Sequence, residues 1–295
     1  MKQTEMRDYE KAGEIASQVK KYAKSIVKKG VPLLELAEQI EGKIIELGGK
    51  PAFPVNLGIN EMTAHYTPAY NDELFAQGLL KVDFGVHVNG CVADTAFSVD
   101  LENNKENKML IETSEKALEN AIQAVKDKKT IGQIGKAIQE TAEKSNFSPI
   151  QNLSGHEIAQ WDLHAGITIP NYDNGNKIKL KEGVYAIEPF ITEGQGMVYE
   201  GKPSGIYKIS GNASVRDNET RKIFSYIAEE YKELPFCSRW LVKKFGARAL
   251  ISLNLLERAG CLHQFPQLIE KSRKPVAQSE DTIIIEDGKV KLTTE

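Results

Sequence analysis

The chain is 295 residues long, room for one large domain or two ordinary ones, and its 41% hydrophobic content supplies a core and argues against disorder. A net charge of −3, with acids and bases interspersed, excludes a global pull towards nucleic acid or membrane. Cys91, Cys237 and Cys261 are odd in number and lack CxxC spacing, and no apolar signal core or membrane-spanning run is present, so a cytoplasmic protein with free thiols is expected.

In chain order, Ala12, Ile15, Val19, Tyr22, Ile26 and Val27 recur at helical spacing and predict a first helix over about 8–29. Pro32 opens a second helix with Leu33, Leu36, Ala37, Ile40 and Ile44 on one face, ended by Gly48 and Gly49. A short apolar run over 52–55 leads to a polar loop that carries His65. The stretch 81–99 then reads as a β-hairpin, because Asn89-Gly90 between two β-rich runs signals a two-residue type I′ turn. If Val88 pairs with Cys91, Gly85 faces Asp94 and Asp83 faces Ala96, so the two aspartates are diagonal neighbours on one face. Val82, Phe84, Val86 and their partners make the other face apolar, a core face. Like charges held this close repel unless a cation lies between them, so the hairpin reads as half of a metal site.

The second half repeats this order. A helix over about 107–127 carries Leu110, Ala117, Ala121 and Val125, and another behind Thr130 carries Ile131, Ile134 and Ile138, copying the spacing of Leu33, Leu36 and Ile40. A short run over 148–153, a loop with His156 and His164, and a strand over 184–190 follow. The recurrence predicts an internal duplication: two pseudo-symmetric α+β halves around one sheet. From about 200 to 270 the pattern changes, with helices over 217–231 and 247–258 that have no counterpart earlier. An inserted helical subdomain within a single catalytic domain of residues 1–295 is expected, closed by strands over 279–286 and 290–292.

Asp83, Asp94, His156, Glu188 and Glu280 sit on these strands or their loops. Taken singly, each is most simply a salt-bridged or solvent-facing side chain. Glu188 lies inside the apolar run 184–190, however, where an unpaired carboxylate is costly. Together, oxygen-rich ligands with one imidazole suit a pair of divalent ions such as Mn, Fe, Co or Zn, not a thiolate site, and such a pair favours hydrolysis.

The whole chain resembles the type 2 methionine aminopeptidases of the short archaeal kind, through AFPVNLGINEMTAHYTP (52–68), KVDFGVHVNGCVADTAF (81–97), LSGHEIAQWDLHAG (153–166), AIEPF (186–190) and the last strand around Glu280. The resemblance implies the duplicated pita-bread fold, with the extra helical section as the mark of type 2. It implies removal of initiator methionine from nascent proteins, with small second residues preferred, by hydroxide activated on two divalent metal ions (Co, Mn, Fe or Zn). Asp83 would chelate one metal, Asp94 and Glu280 would bridge both, and His156 and Glu188 would complete the second. Glu188 would also handle the proton of the attacking water. His65 would bond near the scissile amide, and His164 would hold the substrate backbone and tetrahedral intermediate. Phe53, Leu163 and Phe190 would wall the methionine pocket, although core packing accounts for them equally well. The expected partners are nascent polypeptide N-termini, as the resemblance implies, and the ribosome; no membrane, no specific nucleic acid and a monomeric state are expected as well.

Where the family reads aromatic-Glu-His around its last ligand, this chain has Ser279-Glu280-Asp281, and strand alternation should turn Asp281 away from the metals. His87 is expected at an exposed hairpin tip, and His263 is assigned no role. Two competing readings stand beside the aminopeptidase. A proline-directed peptidase uses similar ligands but usually has a further N-terminal domain. A catalytically inactive ribosome- or nucleic-acid-binding member would have lost ligands that are present here. The basic residues Arg239, Lys243, Lys244, Arg248 and Arg258 of the 200–270 section are balanced by Asp217, Glu219, Glu229, Glu230 and Glu233, as on an ordinary solvated face.

Overall fold

The computed structural model describes residues 2–212 and 215–294. Helix α1 (Gln3–Ile26) starts about a turn before its expected position, where the Glu5 carboxylate accepts the Lys2 backbone N–H, and ends ahead of the left-handed Gly30. After α2 (Leu33–Glu46) come β1 (Lys50–Pro51), β2 (Asn56–Ile59), β3 (Met62–Ala64) and the hairpin β4 (Leu79–Val88) and β5 (Cys91–Asp100). The hairpin register is the expected one: Val88 faces Cys91, Gly85 faces Asp94 and Asp83 faces Ala96. Asn89 at φ 51° and Gly90 at φ 85° supply the two left-handed residues that a type I′ turn requires. Strands β1 and β2 occupy the other edge of β4, and Ile15, Val19, Leu36 and Ile40 from the two helices pack on Val82, Phe84 and Val86.

The second half is built alike. Helix α3 (Lys105–Lys126) is capped by the Asn104 side chain, and α4 (Ile131–Lys144) by a reciprocal pair of Thr130 and Gln133. Strands β6 (Ser148–Pro149), β7 (Ser154–Ile158), β8 (Thr168–Pro170), β9 (Gly183–Ile187) and β10 (Phe190–Thr192) follow. Leu110, Ile134 and Ile138 pack on Tyr185, Ile187 and Ile283, so this helix pair also covers strands. Two local expectations need correction. His156 lies mid-strand in β7, not in a loop: a Cβ on Gly155 would come 2.4 Å from the Ala186 carbonyl oxygen, so that glycine serves close strand packing. The strand expected over 184–190 breaks after Ile187, because Pro189 cannot donate to a ladder and the chain steps from the sheet of β7 and β9 into that of β6 and β10.

The section expected to be helical also holds strands. It comprises β11 (Val198–Ile209), α5 (Asn218–Glu230), β12 (Phe236–Cys237), α6 (Ser238–Phe245), α7 (Ala249–Arg258) and β13 (Leu262–Glu270). Strands β11 and β13 form a long ribbon whose register shifts between Glu200 and Pro203 and again before Tyr207, irregularities that hide the strand period in the sequence. β13 also pairs with β3 of the first half. The helices have a core of their own around Ile227, Phe236, Leu241 and Leu256. Finally β14 (Val276–Gln278), β15 (Asp281–Glu286) and β16 (Lys289–Leu292) close the chain. The strand expected from Ser279 begins at Asp281, and Glu280 instead bridges to Ala96 through hydrogen bonds of 3.0 and 3.3 Å. With Thr282 Oγ1, which accepts from Asp94 N at 2.7 Å and donates to Asp94 O at 2.8 Å, this bridge joins the two halves.

Candidate metal centre and substrate cavity

All ten residues singled out in the sequence line one cavity of about 270 Å³ at that seam. Its floor is acidic. Asp83 comes from β4, Asp94 from β5, His156 from β7, Glu188 from the step after β9, and Glu280 from the bridge before β15. Asp94, His156 and Glu280 each offer a ligand atom within 4.8 Å of the others. His156 Nε2 stands 3.8 Å from Asp94 Oδ2 and 3.9 Å from Glu188 Oε1. Its Nδ1 is turned to the Glu157 carbonyl at 3.4 Å, which leaves the Nε2 lone pair facing the acids.

Asp83 Oδ1, Asp94 Oδ1 and Glu280 Oε1 are buried without a hydrogen-bond partner. Three orphaned carboxylate oxygens in one place are too costly for plain packing, and they fit a divalent cation. Gln278 Nε2 offsets part of the repulsion, reaching Asp83 Oδ2 at 3.5 Å and Glu280 Oε2 at 3.3 Å. Sequence reasoning missed Gln278, although its place two residues before Glu280 put it on the ligand face. Asn56, the cross-strand partner of Asp83, was missed too.

Without a cation the cluster resists ionisation. Burial raises Asp83 to about 7 against the opposing Gln278 hydrogen bond. Burial first, then mutual repulsion, lifts Asp94, Glu188 and Glu280 well above the usual carboxylate range. His156 falls to about 3, by burial and then by the neighbouring His164. A divalent ion among these groups would reverse this, holding the carboxylates ionised and the imidazole neutral, the form that ligates.

The walls are apolar. Phe53, Leu163 and Phe190 are buried. Gly85 makes room for the first of them, since a Cβ there would lie 2.5 Å from Phe53 Cε1. Among the other lining residues, His65 adopts φ 58°, an uncommon conformation for a side-chain-bearing residue, its Nδ1 3.1 Å from Pro266 O and its ring edge-on to Phe265 at 5.3 Å. The His164 ring meets His156 at 4.4 Å and 72°. Enclosure by protein, then His65 and Lys208, lowers His164 to about 4 and holds it towards its neutral form.

His87 is not an exposed tip. It is buried, its Nδ1 accepts the Gly90 N–H at 3.2 Å, and its ring lies edge-on to Trp161 at 5.1 Å, outside the cavity. Asp281 points away from the floor as expected, towards Lys20 Nζ at 2.8 Å, Thr294 Oγ1 at 2.8 Å and Thr95 Oγ1 at 3.2 Å. Ser279 Oγ meets Ser114 Oγ at 2.8 Å.

Residues 7–248 match metallopeptidase family M24. A methionine aminopeptidase of Pyrococcus abyssi is 47% identical over 289 residues, 96% of this chain and 97% of its own. Among solved structures, a thermophilic Arx1 aligns with TM-score 0.84 at 15% identity, over 99% of this chain and 91% of that one. A methionine aminopeptidase of Thermotoga maritima aligns with TM-score 0.73 at 20% identity, over 100% and 98%. The two structural likenesses concern the fold.

Proposed function

We propose, for a chain that belongs to metallopeptidase family M24 as a methionine aminopeptidase removing initiator methionine, that Asp83, Asp94, His156, Glu188 and Glu280 hold two divalent ions while His65, His164, Phe53, Leu163 and Phe190 bind the peptide. The convergence of three unpartnered buried carboxylate oxygens with the His156 lone pair carries this reading. Four carboxylates offset the charge of two such ions. When bound, the metal pair supplies Lewis acidity that activates water and polarises the scissile carbonyl.

The chain's own groups do the rest. Glu188, a largely buried carboxylate 3.9 Å from His156 Nε2, takes the proton of the attacking water and passes it to the leaving amine. His65 Nδ1–H donates to the Pro266 carbonyl, so Nε2 of the neutral ring is an acceptor for the scissile amide N–H. His164, kept neutral beside the floor, donates to the developing oxyanion. Phe53, Leu163 and Phe190 take the methionine side chain, whose thioether packs well against aromatic rings. Ile206, Pro235 and Phe265 line the same cavity, and we read their bulk as favouring a small second residue. We read residues 198–270 as a subdomain of one catalytic domain, and the protein as a monomer that meets nascent N-termini at the ribosome in the cytoplasm. No described helix is long and apolar enough to cross a membrane.

Metal titration of chelator-treated enzyme with Met-Gly-Met-Met tests the assignment. Activity should return with Co, Mn, Fe or Zn and level off near two equivalents. Cleavage that survives full chelation would overturn it.

A further inference from the structure

Beside the cavity, next to the lining residue Phe265, stands a positive charge that has no task in the chemistry above, that of Lys208. Across the ribbon Lys208 pairs with His263. Cross-strand partners share a face, and side chains two residues apart on one strand share it as well. Ile206, Lys208, His263 and Phe265 therefore lie on one face, and Ile206 and Phe265 line the cavity. The opposite face is accounted for, because Tyr207 is buried in the core of the 198–270 helices. Lys208 Nζ lies 5.9 Å from the centre of the Phe265 ring, Phe265 stacks edge-on to both His65 and His263, and the Lys208 charge reaches His164. Among the described residues Lys208 makes no ion pair, although it is only partly exposed.

In the reading above, a peptide that places its free amine over the acidic floor runs on past this ribbon, which contributes Ile206 and Phe265 to the cavity. An extended chain advances about 3.3 Å per residue, so the third and fourth residues come to the rim. We propose that Lys208 is a specificity-determining residue that selects methionyl peptides with a carboxylate at the third or fourth position. The same charge disfavours a lysine or arginine there. The floor thus reads the positive amine, and the rim reads a negative charge further along the same chain. This inference rests on the peptide direction set by His65 and His164 in the preceding reading.

Competition between amidated peptides of the form Met-Ala-Xaa-Gly-Gly tests it, with Xaa as Glu, Gln or Lys; a second series moves Xaa to the fourth position. Amidation removes the C-terminal carboxylate, and a free-acid Gln series measures that source separately. The enzyme should prefer Glu over Lys in kcat/KM by about five-fold at low salt, mainly through KM, with the ratio falling as salt is added. Lys208→Met should bring the ratio to about one, Lys208→Glu should invert it and Lys208→Arg should keep it. Equal use of Glu and Lys peptides by the unaltered enzyme, or a ratio unchanged in Lys208→Met, overturns the proposal. Ratios between peptides are unaffected by partial loss of folded enzyme. The underlying peptide direction is checked separately by His65→Ala, which should depress all peptides alike.

Discussion

Two sets of buried acids in this molecule are treated in opposite ways. Glu41 in α2 is fully employed: its oxygens accept from Arg239 Nη1 and Nη2 at 2.7 Å each, from Trp240 Nε1 at 2.8 Å and from the Val55 N–H at 3.3 Å. Arg239 uses its remaining reach on the Pro68 carbonyl at 3.0 Å. That set ties the 198–270 section to the first half and is complete within the chain. Around the cavity, Asp83, Asp94 and Glu280 each keep an oxygen with no partner, and their nearest charged neighbours are more acids. Burial alone therefore says little about the purpose of an acid. What separates structure from function here is whether the protein supplies the counter-charge itself.

The sharpest way to break the comparison is Asp94→Asn. It removes a charge that the fold does not neutralise, so the variant should fold normally yet lose at least about a thousand-fold in turnover of Met-Gly-Met-Met, since Lewis-acid catalysis is worth several kcal/mol. Near-normal turnover with metal present would show that the orphaned oxygens have no catalytic use. Glu41→Ala should do the reverse, leaving Arg239 buried and unpaired at a cost of about 3–5 kcal/mol in denaturant melts, equally with and without metal. A smaller loss would mean that water reaches the guanidinium.

The pH dependence of the metal-free protein sharpens the contrast. Asp83, raised to about 7, holds its proton more tightly folded than unfolded. Its contribution is thus harmless below about pH 4, where both states are protonated, and becomes destabilising as pH climbs towards 7, at up to about 1.4 kcal/mol per unit. His156, lowered to about 3, acts in the opposite direction by favouring stability at higher pH, so the useful quantity is the difference in slope between the unaltered protein and Asp83→Asn. Metal loading should abolish that difference, and equal slopes without metal would remove Asp83 from the account. The smallest effect belongs to Asp281→Asn, which weakens charged hydrogen bonds to Lys20 and Thr294. It should cost about 1.5 kcal/mol in stability while turnover at saturating metal is retained.

Much of this was legible beforehand, for identifiable reasons. The hairpin register follows from a turn that admits only residues comfortable at positive φ, and a period of two then puts Asp83 and Asp94 on one face. The repeated spacing of Leu33, Leu36 and Ile40 in Ile131, Ile134 and Ile138 predicted two helix pairs, each covering its own strands. Other features misled. Ser154-Gly155 looks like a loop because glycine is common in loops, whereas here it is set by the nearness of Ala186. His87 looks exposed because it is next to a turn, whereas Trp161 arrives from a distant loop to cover it. The ribbon of β11 and β13 was invisible because its prolines and register shifts erase the alternation.

The division has a physical basis. Residue spacing, turn chemistry and helix periodicity are local, so the chain alone determined the hairpin, the duplicated order and every helix except the short Ser238–Phe245. The bridge of Ala96 to Glu280, the step at Glu188, the support from Gln278 and the pairing of Lys208 with His263 beside Phe265 depend on contacts between segments far apart in sequence. Those contacts are set by packing in three dimensions, and only the folded molecule decides them.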